Sequence, residues 1–210
     1  MFDKKKILSF FKKKYNFIES FDVSLNIKNK FRIINSGFLC LPNTFRKKVK
    51  TVVIFNKSER IKDKIKLINV KFLEIENNKT DINNILKYYE KKYTFILTSF
   101  SNSFLGSFSK EKSIKKILKK SFFFKENYEN NIRSLSEGKI VKYKFDSSNS
   151  IKFSFANSSM SEKKILSNLK KSVENLSIIF SNININFKKD CKIFLNTTQS
   201  KKSFLLKSYE

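Results

Sequence analysis

The feature that most restricts the fold of this chain is a change of hydrophobic period along its length. Near the start, Phe21, Val23, Leu25 and Ile27 alternate with Asp22, Ser24, Asn26 and Lys28. A period of two with one apolar and one polar face predicts a strand buried on one side only. The same alternation returns after Gly138, in Val141, Tyr143 and Phe145 and in Ile151, Phe153 and Phe155. Between these regions the pattern is different: Val52-Val53-Ile54-Phe55 and Tyr93-Thr94-Phe95-Ile96-Leu97 are short continuous apolar runs. Such runs suit strands covered on both faces, as in parallel sheets.

The intervening segments extend this reading. A basic helix is expected over residues 1–16, carrying Ile7, Leu8, Phe10 and Phe11. Helices are expected at 58–67, 80–89 (capped by Thr80 or Asp81), 110–120 and 125–134, with a strand at 70–75. Strand and helix alternating through the middle predict a small parallel α/β unit. Ser159 and Glu162 have the spacing of a capping box. Behind them Ile165, Leu169, Val173, Leu176 and Phe180 recur at three- and four-residue steps, so the strongest helix is expected there. Short strands are expected near 183–187 and 192–198. The fold class is therefore α/β, with antiparallel ends and a parallel middle. The economical organisation is a discontinuous domain from residues 1–45 and 133–210, with residues 46–132 inserted into it.

Charge restricts the partner. Lys and Arg number 45 against 18 for Asp and Glu, a net charge of +27. A folded chain carrying that charge repels itself unless a polyanion neutralises it. Only Arg32, Arg46, Arg60 and Arg133 are arginine, and Asn, Ile, Phe and Lys abound while Gly, Pro and Ala are scarce. That is the composition of an A/T-rich genome, which raises Lys by itself but leaves the deficit of acids unexplained. It points to an organelle, a mitochondrion first, or otherwise to a plastid or the cytoplasm of a reduced bacterial symbiont. Basic clusters stand at Lys4–Lys6, Lys12–Lys14, Arg46–Lys50, Lys115–Lys120, Lys188-Lys189 and Lys201-Lys202. With 40% hydrophobic residues the chain has enough to bury a core.

Much chemistry is excluded. There is no His, so Ser-His and Cys-His nucleophiles and His-based metal sites cannot form. The glycines, Gly37, Gly106 and Gly138, are too few and too far apart for a nucleotide-binding loop. Cys40 and Cys191 have neither metal nor redox spacing. Glu74 with Glu76, and Glu126 with Glu129, fit solvated faces better than a metal site. No enzymatic activity, cofactor or metal is expected; a metal-dependent nuclease would need converging carboxylates. No apolar run approaches a membrane span, and the N-terminal residues lack the pattern of a signal or transit peptide. The expectation is a protein that works where it is made, without a membrane.

Several short patterns, taken in order, resemble the ribosomal protein L-one family, the proteins of the mobile side stalk of the large ribosomal subunit. They are Phe17-Ile18-Glu19-Ser20-Phe21-Asp22-Val23, then Ser36-Gly37-Phe38-Leu39-Cys40-Leu41-Pro42, then Lys47-Lys48-Val49-Lys50. Further on come Gly138-Lys139-Ile140, Asp146, the segment Ile151–Met160, Lys164-Ile165 with Asn168, and Thr197-Thr198. The resemblance spans roughly residues 17–202. It implies a discontinuous domain that binds ribosomal RNA and an inserted Rossmann-like domain. It also implies large-subunit ribosomal RNA as partner, transient contact with tRNA at the exit site, other ribosomal proteins as neighbours, and a monomer within the ribosome. Carried over residue by residue, it nominates Phe17, Glu19, Gly37, Asp146, Thr197 and Thr198 for RNA binding. The alternative is a lineage-specific ribosomal or general RNA-binding protein that kept this fold without the stalk site.

Overall fold

The structure, a computed structural model, describes residues 4–11, 18–28, 37–46, 49–55, 69–74, 88–89, 93–97, 121–124, 127–143, 150–183, 185–197 and 203–207 of the chain. These form a mixed α/β protein. Contacts divide the chain into two compact units, one of residues 1–45 with 139–210 and one of residues 46–138.

The first unit is built on an antiparallel sheet of four strands. Strand β1 (Ser20–Ile27) lies between β8 (Ser150–Asn157) and β9 (Cys191–Thr197), and β10 (Phe204–Lys207) adds to the far side of β9. The alternation fixes which side is buried. Phe21, Val23, Leu25 and Ile27 stand opposite Thr197, Leu195, Ile193 and Cys191, and all eight are buried. Helix α3 (Glu162–Ser181) turns Ile165, Leu169, Leu176 and Phe180 inward, where they join the same apolar cluster. Helix α1 (Lys4–Phe11) adds Ile7 and Phe11, one helical turn apart; the Phe11 ring lies 4.3 Å from that of Phe21. Burying each such large side chain contributes about 1.5–3 kcal/mol before the entropy of ordering is subtracted. A two-stranded sheet completes the unit: β2 (Gly37–Cys40) pairs antiparallel with β7 (Ile140–Tyr143).

One irregularity in the main sheet matters for its polar contacts. Phe21 faces Ala156 while Asp22 faces Ser154, so Phe155 is an extra residue in β8. The bulge lets Phe155 and Ala156 both enter the core, each 0% exposed. β8 is the edge strand of this sheet, and the side-chain amide of Asn168 donates to the Phe155 carbonyl at 2.9 Å.

The second unit has a parallel sheet ordered β4-β3-β5-β6: β3 (Thr51–Phe55) between β4 (Val70–Glu74) and β5 (Thr94–Leu97), with β6 (Phe122–Phe123) outermost. All five residues of β3 are buried, as its continuous apolar run predicts. Helix α2 (Tyr128–Ser136) follows and buries Ile132 and Leu135. Its residues span the boundary expected at 132/133; the helix belongs whole to this unit, which closes at Gly138. The expected helices at 58–67 and 110–120 lie outside the described residues, as does most of 80–89.

Two local expectations are corrected. Ser159 does not cap α3: the N-cap is Ser161, without a side-chain cap bond. The Ser159 hydroxyl and backbone N–H instead both donate to Asn157 Oδ1, at 2.6 and 3.0 Å. Residues 183 and 185–187 are not in a strand. The Ile183 and Ile185 amides both donate to the Phe180 carbonyl, and helix α4 (Phe187–Asp190) begins at once. There the Asn186 side chain accepts from the Lys188 and Lys189 amides. The alternation of Ile183, Ile185 and Phe187 is met by a turn that folds these apolar groups onto the core, so period alone misread the backbone. Strand β10 was not expected; Phe204 and Leu206, which pack against the core, were hidden beside a basic cluster.

Candidate nucleic-acid interface

The strand order brings separate parts of the sequence to one end of the antiparallel sheet. Because β1 runs opposite to β8 and β9, its start meets their ends. Ser20 stands opposite Asn157, and Phe21 opposite Thr197. Glu19 is tied in by two bonds: its N–H donates to Ser158 Oγ at 2.9 Å, and its carbonyl accepts from the Ser158 N–H at 2.8 Å. Glu19 and Thr197, far apart in sequence, thus share this sheet end.

Their burial decides how they can act. Glu19 is 1% exposed and Thr197 6%, so neither presents its side chain to solvent here. Among the described residues at this end, Asn157 and Ser158 are half-buried and Ser159 is exposed, so their polar groups remain accessible. Gly37 has a packing explanation. It pairs with Tyr143, and a Cβ at position 37 would lie 2.6 Å from Cζ of that ring and closer still to its hydroxyl. Phe17, Asp146 and Thr198 lie outside the described residues.

The sheet face opposite the core supplies a broader surface. Asp22 occupies its middle, 5% exposed, accepting from Ser154 Oγ at 2.7 Å and pairing with Lys152 Nζ at 3.4 Å. One step along, Asn196 Nδ2 donates to Ser24 Oγ at 2.7 Å and Ser203 Oγ donates to Asn196 Oδ1. Asn26 stands opposite both Ser150 and Lys192, and Lys28 follows the strand. Phe194 stands on this face opposite Ser24, and the hydroxyls, amides and lysines around it are the groups that recognise ribose hydroxyls and base edges and neutralise phosphates. The partnering of Asp22 with Ser154 and Lys152 keeps its negative charge from standing alone on that surface. The sequence signal for this face was the polar half of each alternating strand, read one strand at a time as solvated; only the register shows that these halves adjoin.

Among the described residues, no group of three or more Cys, Asp or Glu is placed to hold a metal ion, and no helix is long and apolar enough to cross a membrane. No protein-family model matches the chain, and no curated protein matches it at a significant level.

Proposed function

We propose that this chain is a non-catalytic constituent of the large ribosomal subunit. In this reading it binds large-subunit ribosomal RNA at the mobile side stalk, near the tRNA exit site, and assists release of deacylated tRNA, within an organelle such as a mitochondrion. The observation that carries the reading is the polar, lysine-bearing face of the antiparallel sheet, on a chain of net charge +27, with Glu19 and Thr197 at one end of the same sheet. In this reading the unit of residues 1–45 and 139–210 is the RNA-binding domain and the inserted unit is Rossmann-like. The strand order of the parallel sheet, second-first-third-fourth in chain order, is that of doubly wound folds. Phosphate contacts set orientation while hydroxyl and amide groups read the RNA.

A second reading, a ribosomal or general RNA-binding protein without the stalk site, is favoured by the burial of Glu19 and Thr197. Crosslinking the protein in its native extract and sequencing the attached RNA separates the two. The stalk reading expects crosslinks concentrated in one stem-and-junction region of large-subunit RNA near the exit site. Crosslinks scattered over many RNAs would overturn it and leave the second reading.

A further inference from the structure

The second unit carries an aromatic feature that the sheet of the first unit does not use. Tyr88, Tyr89 and Tyr93 form a ladder of rings. Tyr88 and Tyr89 meet at 5.0 Å with planes 86° apart, and Tyr89 and Tyr93 at 5.1 Å and 87°. The edge-to-face arrangement is the favourable one for aromatic quadrupoles, so the three rings support one another. Lys71, on the edge strand β4, places its ammonium 5.5 Å from the Tyr89 ring centre and 5.8 Å from that of Tyr93, within reach of a cation–π interaction with both. The ladder ends in the open, for Tyr88 is 71% exposed. In sequence the tyrosines are interleaved with Lys87, Lys91 and Lys92.

Core packing accounts for Tyr89 and Tyr93, which are half-buried, but not for Tyr88. A ring so exposed offers itself to solvent, braced by the Tyr89 ring, over which Lys71 places its positive charge. Single-stranded nucleic acid is bound by this pairing of chemistries, with bases stacking on aromatic faces and cations following the phosphates. A duplex offers no free base face. We infer that the Tyr88 ladder with Lys71 is a second RNA site on the inserted unit, which stacks an unpaired base on Tyr88 and holds the adjoining phosphate near Lys71. The choice of RNA over DNA rests on the reading proposed above; the stacking itself does not.

The test uses the full chain, a fluorescein-labelled twelve-residue oligouridylate and an RNA duplex of the same length. Stacking of one base predicts that Tyr88→Ala weakens oligouridylate binding roughly 5- to 150-fold. Duplex binding should stay within about twofold, because phosphate contacts are untouched. Tyr88→Trp should retain the single-strand affinity. The chain has no Trp, so tyrosine emission is directly observable and should be quenched by the oligouridylate in the native protein. Unchanged oligouridylate affinity in Tyr88→Ala would overturn the inference. So would an equal loss on the duplex, which would mean a phosphate surface. So would tight binding of polyglutamate that Tyr88→Ala abolishes, which would assign the patch to an acidic protein. Crosslinks scattered over many RNAs would sink the stalk reading and leave this result standing.

Discussion

Replacing Asn168 with alanine should remove more stability than its size suggests. Its side chain is 0% exposed and is bonded at both ends. Nδ2 donates to the carbonyls of Phe155 at 2.9 Å and Asn43 at 3.1 Å. Oδ1 accepts from the Asn43 N–H at 2.9 Å and from Asn43 Nδ2 at 3.2 Å. Alanine leaves the carbonyl of Phe155, a buried residue of the edge strand β8, without this donor in an apolar interior; such an orphan costs about 1–3 kcal/mol. Asn43 is half-buried, so water can replace part of what it loses, which adds about 1 kcal/mol. The total is about 2–4 kcal/mol. Because the chain forms two compact units, a single unfolding midpoint can blend two transitions, and amide hydrogen exchange resolved by residue is the suitable assay. Protection across Val23–Ile27 should fall by that amount, while protection across Val52–Phe55 should not change. Asn175→Ala is the control. That side chain makes a long 3.4 Å bond to the Cys40 carbonyl at the surface, and its loss should cost less than about 0.5 kcal/mol. A loss at Asn168 no larger than that of the control would refute this account of the Phe155 carbonyl.

Gly37→Ala should destabilise the first unit by about 1–3 kcal/mol, since the added methyl meets the buried Tyr143 ring; Tyr143→Phe, which removes the nearest atom, should restore part of this in thermal melts of the double variant. Burial pushes the Tyr143 phenol above its ordinary pKa. The unfolded chain therefore loses that proton first, so the stability contribution is complete below about pH 10 and is lost as pH rises toward the folded value. Burial lowers the pKa of neighbouring Lys142, an effect of opposite sign in the same alkaline range. The difference between native protein and Tyr143→Phe in a pH series of denaturant titrations isolates the phenol, and identical slopes above pH 10 would sink the assignment. On the sheet face, Lys152→Ala and Lys192→Ala should each reduce the salt slope of RNA binding by about 1, read from affinities over a range of potassium chloride; an unchanged slope in both would place the RNA elsewhere.

What the sequence revealed of this fold, and what it withheld, divides along a physical line. Period reports burial, and its main stripes hold, although Val173, Tyr93 and Thr94 are only half-buried. Phe21, Val23, Leu25 and Ile27 face the core, the run from Val52 to Phe55 is covered on both sides, and Ile165, Leu169, Leu176 and Phe180 form the inner stripe of α3. Where backbone geometry is set by a polar group, period fails even though burial is right. Ile185 is buried as its alternation predicts, but the Phe180 carbonyl and the Asn186 cap make that segment a turn and a short helix. The serine at 159 has the spacing of a cap and the chemistry of one, yet Asn157 competes for it two residues away. Nor does a bulge announce itself, since Phe155 and Ala156 read as an ordinary apolar pair until the register places both inside.

The candidate interface was partly legible for the same reason. Glu19 and Thr197 emerged from ordered motifs, and antiparallel pairing accounts for their sharing one sheet end. Period and motif are silent about depth, however, and both side chains are buried. The polar face of Asp22, Ser24, Lys152, Ser154 and Asn196 was written in three separate strands as three unremarkable half-patterns. It becomes a surface only when Asp22 is set against Asn196 on one side and Ser154 on the other. Long-range register is a property of the whole core, since a shift by one residue would turn every apolar side chain of β1 to the polar face. The surface offered to a polyanion is therefore specified by the packing on its far side. A change such as Asn168→Ala, which loosens that packing at the bulge, should disturb the arrangement of Asp22, Ser154 and Lys152 without touching any of them.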